Sequence, residues 1–254
     1  MQTTYKKPAN AVKLGAAMIL AAALAGCGGG NNAPGELPGT ITITGTAATV
    51  IAGSTNNAIG GAAIVATCAR GYGTAMTAAD GSFSVTVTNP GVAPCVLQVF
   101  KADNTTLRSV ATGNGNFNIT PMTELLVQYI SAQISTVALP VSTGTINAPN
   151  LLTNNAGFVK LLGTPALLNN SIARVSEFAK TFPGPATPTL QVPSDFLTAQ
   201  LVAKTPSNAG NAQNAFLEAL RARNTITTAG ALNGTTATEA IKDANLPANK
   251  VTTP

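Results

Sequence analysis

The stretch Gly73-Thr-Ala-Met-Thr-Ala-Ala-Asp-Gly-Ser-Phe-Ser-Val-Thr-Val-Thr88 decides the fold class. Asp80-Gly81 sits between two β-rich runs, the signal of a hairpin turn. On its far side Phe83, Val85 and Val87 alternate with Ser and Thr, so they share one face of a strand. Working outward, the same period of two recurs. Ile41 and Ile43 alternate in TITIT, and Ile64, Ala66 and Cys68 do so within residues 60–69. Cys95, Leu97 and Val99 follow in CVLQVF, with short runs at 107–111 and 116–119. About seven strands at this spacing predict an antiparallel β-sandwich over residues 40–120.

Downstream of Thr120 the period changes. Met122, Leu125, Leu126, Tyr129, Ile130, Ile134 and Val137 recur at helical spacing, with Thr120 as N-cap and Pro121 in the first turn. A second helix is expected from Pro165 to the Pro-rich break at 183–188. Its stripe is Leu168, Ile172, Val175, Ala179 and Phe182. Shorter helices are expected at 195–204 and 211–223, and a last one from a capping box formed by Thr236 and Glu239. Tyr129 and Phe178 read as core. The expected class is therefore α+β: a seven-stranded antiparallel β-sandwich, then an all-helical region over 121–246, then a loose tail over 247–254.

The order of GGAAIVATC (60–68), TAADGSFSVTV (77–87) and CVLQV (95–99) resembles the carboxypeptidase regulatory-like, or transthyretin-like, sandwich. With NITPMTELL (118–126), the chain resembles uncharacterised bacterial lipoproteins that join such a sandwich to a helical half. That resemblance implies an accessory domain, not a catalytic one. Some members of the sandwich family bind carbohydrate.

The first 26 residues have a different character. Lys6, Lys7 and Lys13 precede an apolar run, Leu14 to Gly26, which reads as a secretory signal. As a membrane span, thirteen helical residues reach only about 20 Å against a hydrocarbon core of about 30 Å. Leu24-Ala25-Gly26-Cys27 resembles the lipobox of bacterial lipoproteins. The resemblance implies cleavage before Cys27, lipid on its thiol and acyl chains as a membrane anchor. Gly28 stands where Asp favours the inner membrane in enterobacterial lipoproteins, so the outer membrane is expected. Residues 27–39, rich in Gly, Asn and Pro, read as a flexible tether.

Charge and composition then narrow the function. The chain carries 14 basic and 9 acidic residues, and three of the basic ones lie in the signal. The remainder holds 11 against 9, too even a balance to point to nucleic acid. There is no His, which removes Ser-His-Asp and Cys-His catalysis and imidazole metal ligands. There is no Trp, which removes the commonest sugar-stacking platform. With Cys27 lipidated, Cys68 and Cys95 remain to form a disulfide in an oxidising compartment; two buried free thiols are the alternative.

The carboxylates each have a local explanation. Asp80 and Asp103 fall in turns, and Glu124 falls near a helix start, where the dipole favours it. No oxygen cluster suggests calcium, and GCGGG lacks the Lys-Ser/Thr of a phosphate loop. Arg221, Arg223 and Lys242 read as solvated surface. The expectation is a non-catalytic envelope lipoprotein, without cofactor or metal, that binds or supports a protein or glycan partner. The alternatives are a carbohydrate or peptidoglycan binder using loops near Tyr72 or Phe100, and a hydrolase. A hydrolase would use carboxylates or a Ser/Lys pair brought together by the fold, such as Glu177 meeting Lys204 in a helical cleft.

Overall fold

The computed structural model describes residues 39–134, 148–182 and 190–251. The signal, Cys27 and nearly all of the tether lie outside these residues, as does the Pro-rich break at 183–188.

Five strands form one mixed sheet: β1 (Ile41–Thr46), β2 (Ala63–Met76), β3 (Ser82–Phe100), β4 (Thr106–Ala111) and β5 (Gly115–Asn116). The order is β2-β3-β1-β5, with β4 also paired to β3. β1 runs antiparallel to β3 and parallel to β5, and β2 and β4 are both antiparallel to β3. The seven-stranded antiparallel sandwich is therefore overturned, and the reason lies in two mergers. Residues 60–69 and 73–77 read as two strands, but β2 runs through Arg70 and Gly71 with shifts of register. Likewise 82–88 and 95–100 are the two ends of a single 19-residue β3. Apolar runs separated by Gly and Pro read as separate strands, whereas the strand continues through those residues.

The hairpin itself follows the sequence. Gly81 adopts φ +81°, and Asp80 accepts from the Ser82 N–H (2.9 Å) and hydroxyl (2.7 Å). Ile41, Ile43, Phe83, Val85 and Val87 are buried, with Thr and Ser between them exposed.

Six helices follow among the described residues: α1 (Pro121–Ile134), α2 (Ala148–Asn154), α3 (Ala156–Gly163), α4 (Pro165–Thr181), α5 (Ala212–Ala222) and α6 (Gly234–Ala244). α1 is buried along its whole length and packs against β4, α3, α4 and α6. Helices, not a second sheet, thus cover the C-terminal half of β3 and β4. Val96, Leu97 and Val99 are buried accordingly, although they point to both faces of the strand. The Thr120 hydroxyl accepts from the Thr123 N–H (3.3 Å) and the Thr123 hydroxyl from the Thr120 N–H (2.8 Å), so the expected cap forms.

The C-terminal half is not all helical. Residues 195–204 form a turn and an extended run instead of the expected helix. The Asp195 carboxylate takes the Leu197 N–H (3.2 Å) and the Thr198 N–H (2.7 Å). Carbonyls that a helix would pair internally go to the sheet region: Thr198 O to Asn116 Nδ2 (2.7 Å), Ala199 O to Asn118 Nδ2 (2.7 Å) and Leu201 O to the Thr46 hydroxyl (2.9 Å). α6 starts at Asn233, whose side chain accepts from the Thr235 N–H (2.9 Å); Thr236 is buried inside the helix. Beyond α6, Asn249 is buried and its carbonyl accepts from Gln133 Nε2 (2.8 Å).

Candidate functional site

Cys68 and Cys95 lie directly opposite each other in the β2–β3 ladder and are joined by a disulfide. Both are buried, among the inward residues of their strands. Cys27 lies outside the described residues.

Asp80 and Asp103 remain in separate turns. Hydrogen bonds from Ser82 hold the Asp80 carboxyl below the usual carboxylate range. Asp103 accepts from the Thr105 hydroxyl (2.5 Å) and N–H (2.9 Å) and pairs with Lys101 Nζ (3.1 Å). These contacts, the Thr105 hydroxyl foremost, pull its pKa down to about 2. Lys101 is itself buried and donates to Ala229 O (3.1 Å), which ties the β3–β4 turn to the loop before α6.

Glu124 does more than meet a helix dipole. Buried in the first turn of α1, it accepts from Arg108 Nε (3.0 Å), Arg108 Nη2, the Arg108 backbone N–H (2.8 Å) and Gln128 Nε2 (2.8 Å). The pair clamps β4 to α1 and lines a hollow of about 460 Å³ with Gln98 and Thr106. Its four accepted bonds leave Glu124 occupied, so the group is built as a clamp. Sequence reasoning missed it because Arg108 and Glu124 belong to different elements, and their spacing carries no signal.

Glu177 and Lys204 do not meet. Glu177 pairs with Lys180 on α4 (3.1 Å), and Lys204 pairs with Glu218 on α5 (3.2 Å). Tyr129 is in the core, its hydroxyl donating to Asp243 (2.8 Å), and burial raises its pKa. Phe178 stacks on Phe182 with centroids 5.2 Å apart. Of the cations read as surface, Arg223 donates to Lys180 O (3.1 Å) and Lys242 pairs with Glu239 (2.6 Å). Tyr72 and Phe100 are exposed, Tyr72 by 72%.

A cavity of about 990 Å³ runs between α4 and the turn at 192–198. Leu162, Leu168, Ile172 and Leu197 form an apolar wall, and Glu177, Lys180 and Asp195 lie at its margin. Glu177 pairs with Lys180, and Asp195 accepts from the Thr198 hydroxyl and backbone N–H, so each carboxylate of the cleft is held by a neighbour in its own segment. Among the described residues no three His, Cys, Asp or Glu side chains gather as a metal site, and no helix is long and apolar enough to cross a membrane.

No family model, curated protein or solved structure matches this chain.

Proposed function

We propose that this chain is a bacterial lipoprotein held at the outer membrane by lipid on Cys27, whose domain is a non-catalytic binding or structural module. The observation that carries the reading is the Cys68–Cys95 disulfide. A bond of this kind persists in exported proteins and is rare in the reducing cytosol. It supports the same compartment that the Leu24-Ala25-Gly26-Cys27 motif implies. Acyl chains contribute about 0.8 kcal/mol per buried methylene, so two or more give a stable anchor.

The non-catalytic part rests on the chemistry available. Acid–base work needs a group poised near working pH and within reach of a partner nucleophile. The chain has no His, and Asp103, Glu124 and Lys204 are each engaged with a neighbour.

The test is metabolic labelling with palmitate followed by membrane fractionation. The native chain is expected to label and to sediment with outer membranes. Cys27→Ser is expected to lose the label and the sedimentation together. Labelling that survives the substitution would refute the anchor.

A further inference from the structure

We infer that the exposed face of the β1–β3–β2 sheet binds an uncharged polysaccharide, with Tyr72 as the stacking platform. The inference deepens the binding part of the proposed function and is independent of the anchor.

Three ladder pairs define the face: Thr42 with Thr86, Thr44 with Ser84, and Tyr72 with Thr88. All six are exposed. Thr74 and Met76 continue the same face along β2, and Met76 is 60% exposed. Strands lie about 4.8 Å apart and same-face residues about 6.8 Å apart, so the hydroxyls form a grid with spacings on the scale of a sugar ring. A hydroxyl both donates and accepts, as sugar hydroxyls do.

The backbone is irregular where Tyr72 emerges. The β2–β3 register shifts between Cys68 and Arg70 and again between Arg70 and Tyr72. Gly71 adopts φ +83°, and a Cβ there would stand 2.6 Å from Thr88 O. Bulges of this kind re-aim side chains next to functional sites. Glycines on both sides leave the phenol without bulky sequence neighbours, and an amphipathic ring open to water is a contact surface in want of a partner.

Charge selects the partner. Residues 41–46, 70–76 and 82–88 contain no carboxylate, and their one cation, Arg70, stands two residues from Tyr72. Such a face gives a cationic polymer nothing to pair with and a polyanion one contact. A neutral polyhydroxylated chain matches both the hydroxyl grid and the ring.

The experiment is co-sedimentation of the full chain, purified in mild detergent, with insoluble cellulose, chitin, β-glucan and mannan. Retention on at least one is expected, with competition by the corresponding soluble oligosaccharide. Tyr72→Ala and Thr86→Lys are each expected to weaken retention roughly tenfold, the loss typical of a contact hot spot. Phe100→Ala, at another exposed aromatic, is expected to leave it unchanged. An unaltered melting temperature and an intact disulfide establish that each variant is folded. Failure to sediment with any of the four polymers overturns the inference. So does retention that Tyr72→Ala and Thr86→Lys both leave intact. Self-association of the native chain that Thr86→Lys abolishes would also overturn it, by giving the face to a second copy. Retention by a Cys27→Ser chain that still labels with palmitate would refute the anchor and leave this inference standing.

Discussion

Glu124 shows how one side chain can hold two layers together. It is the acceptor for an Arg side chain, a backbone N–H of β4 and a Gln one turn along its own helix. Removing one member of a buried pair leaves an uncompensated charge, a loss of about 3–5 kcal/mol. Glu124→Ala is therefore expected to destabilise the fold by about that amount in urea unfolding. Glu124→Gln keeps an acceptor for the Arg108 N–H and is expected to cost less. Equal losses would mean that the hydrogen bonds, not the charge, are immaterial. Asp103 acts at the surface and through pH. Its folded pKa of about 2 lies below the ordinary Asp value, so its contribution is complete above about pH 4 and is lost as pH falls towards 2. Because the group is exposed, the effect is small. The fall in Tm between about pH 4 and pH 2 is expected to be shallower in Asp103→Asn than in the native chain, with Asp80 still supplying part of it.

At the scale of elements, periodicity was legible and continuity was not. Alternation placed Ile41, Ile43, Phe83, Val85 and Val87 inward, where they are. Helical spacing located α1 and α4, whose ends are marked by Pro121 and Pro165. What alternation does not encode is whether a strand stops at an irregular residue. The runs on either side of Arg70-Gly71, and of Pro90-Gly91, read as separate strands, yet partners on the neighbouring strand carry the ladder past both. The segment 195–204 failed for the opposite reason. Its local pattern suits a helix, but Asn116, Asn118 and Thr46 capture its carbonyls from a distance in sequence that no window spans. The cap of α6 was misplaced by one turn because Asn233 and Thr236 are both good caps, and burial of Thr236 decides between them. The cysteine pairing was legible from the count alone, whereas the Arg108–Glu124 clamp required the fold.

For the whole molecule, strands and helices share a single core cluster that runs from Ile41 to Ala244. α1 has no solvent face, and β4 is buried beneath it. A fragment of residues 40–120 is therefore expected not to fold cooperatively, since it would leave β4 and the far face of β3 bare; a sharp thermal transition in that fragment would contradict the continuity of the core. The order of the sheet also has a mechanical meaning. Residue 39 leads directly into β1, and β1 is an interior strand, held by β3 on one side and β5 on the other. Tension delivered to the domain through residue 39 cannot peel an edge strand off one bond at a time. On the proposed lipid anchor, such a load would have to draw β1 lengthwise against β3 along its whole length and against β5 at Ile43 and Thr44.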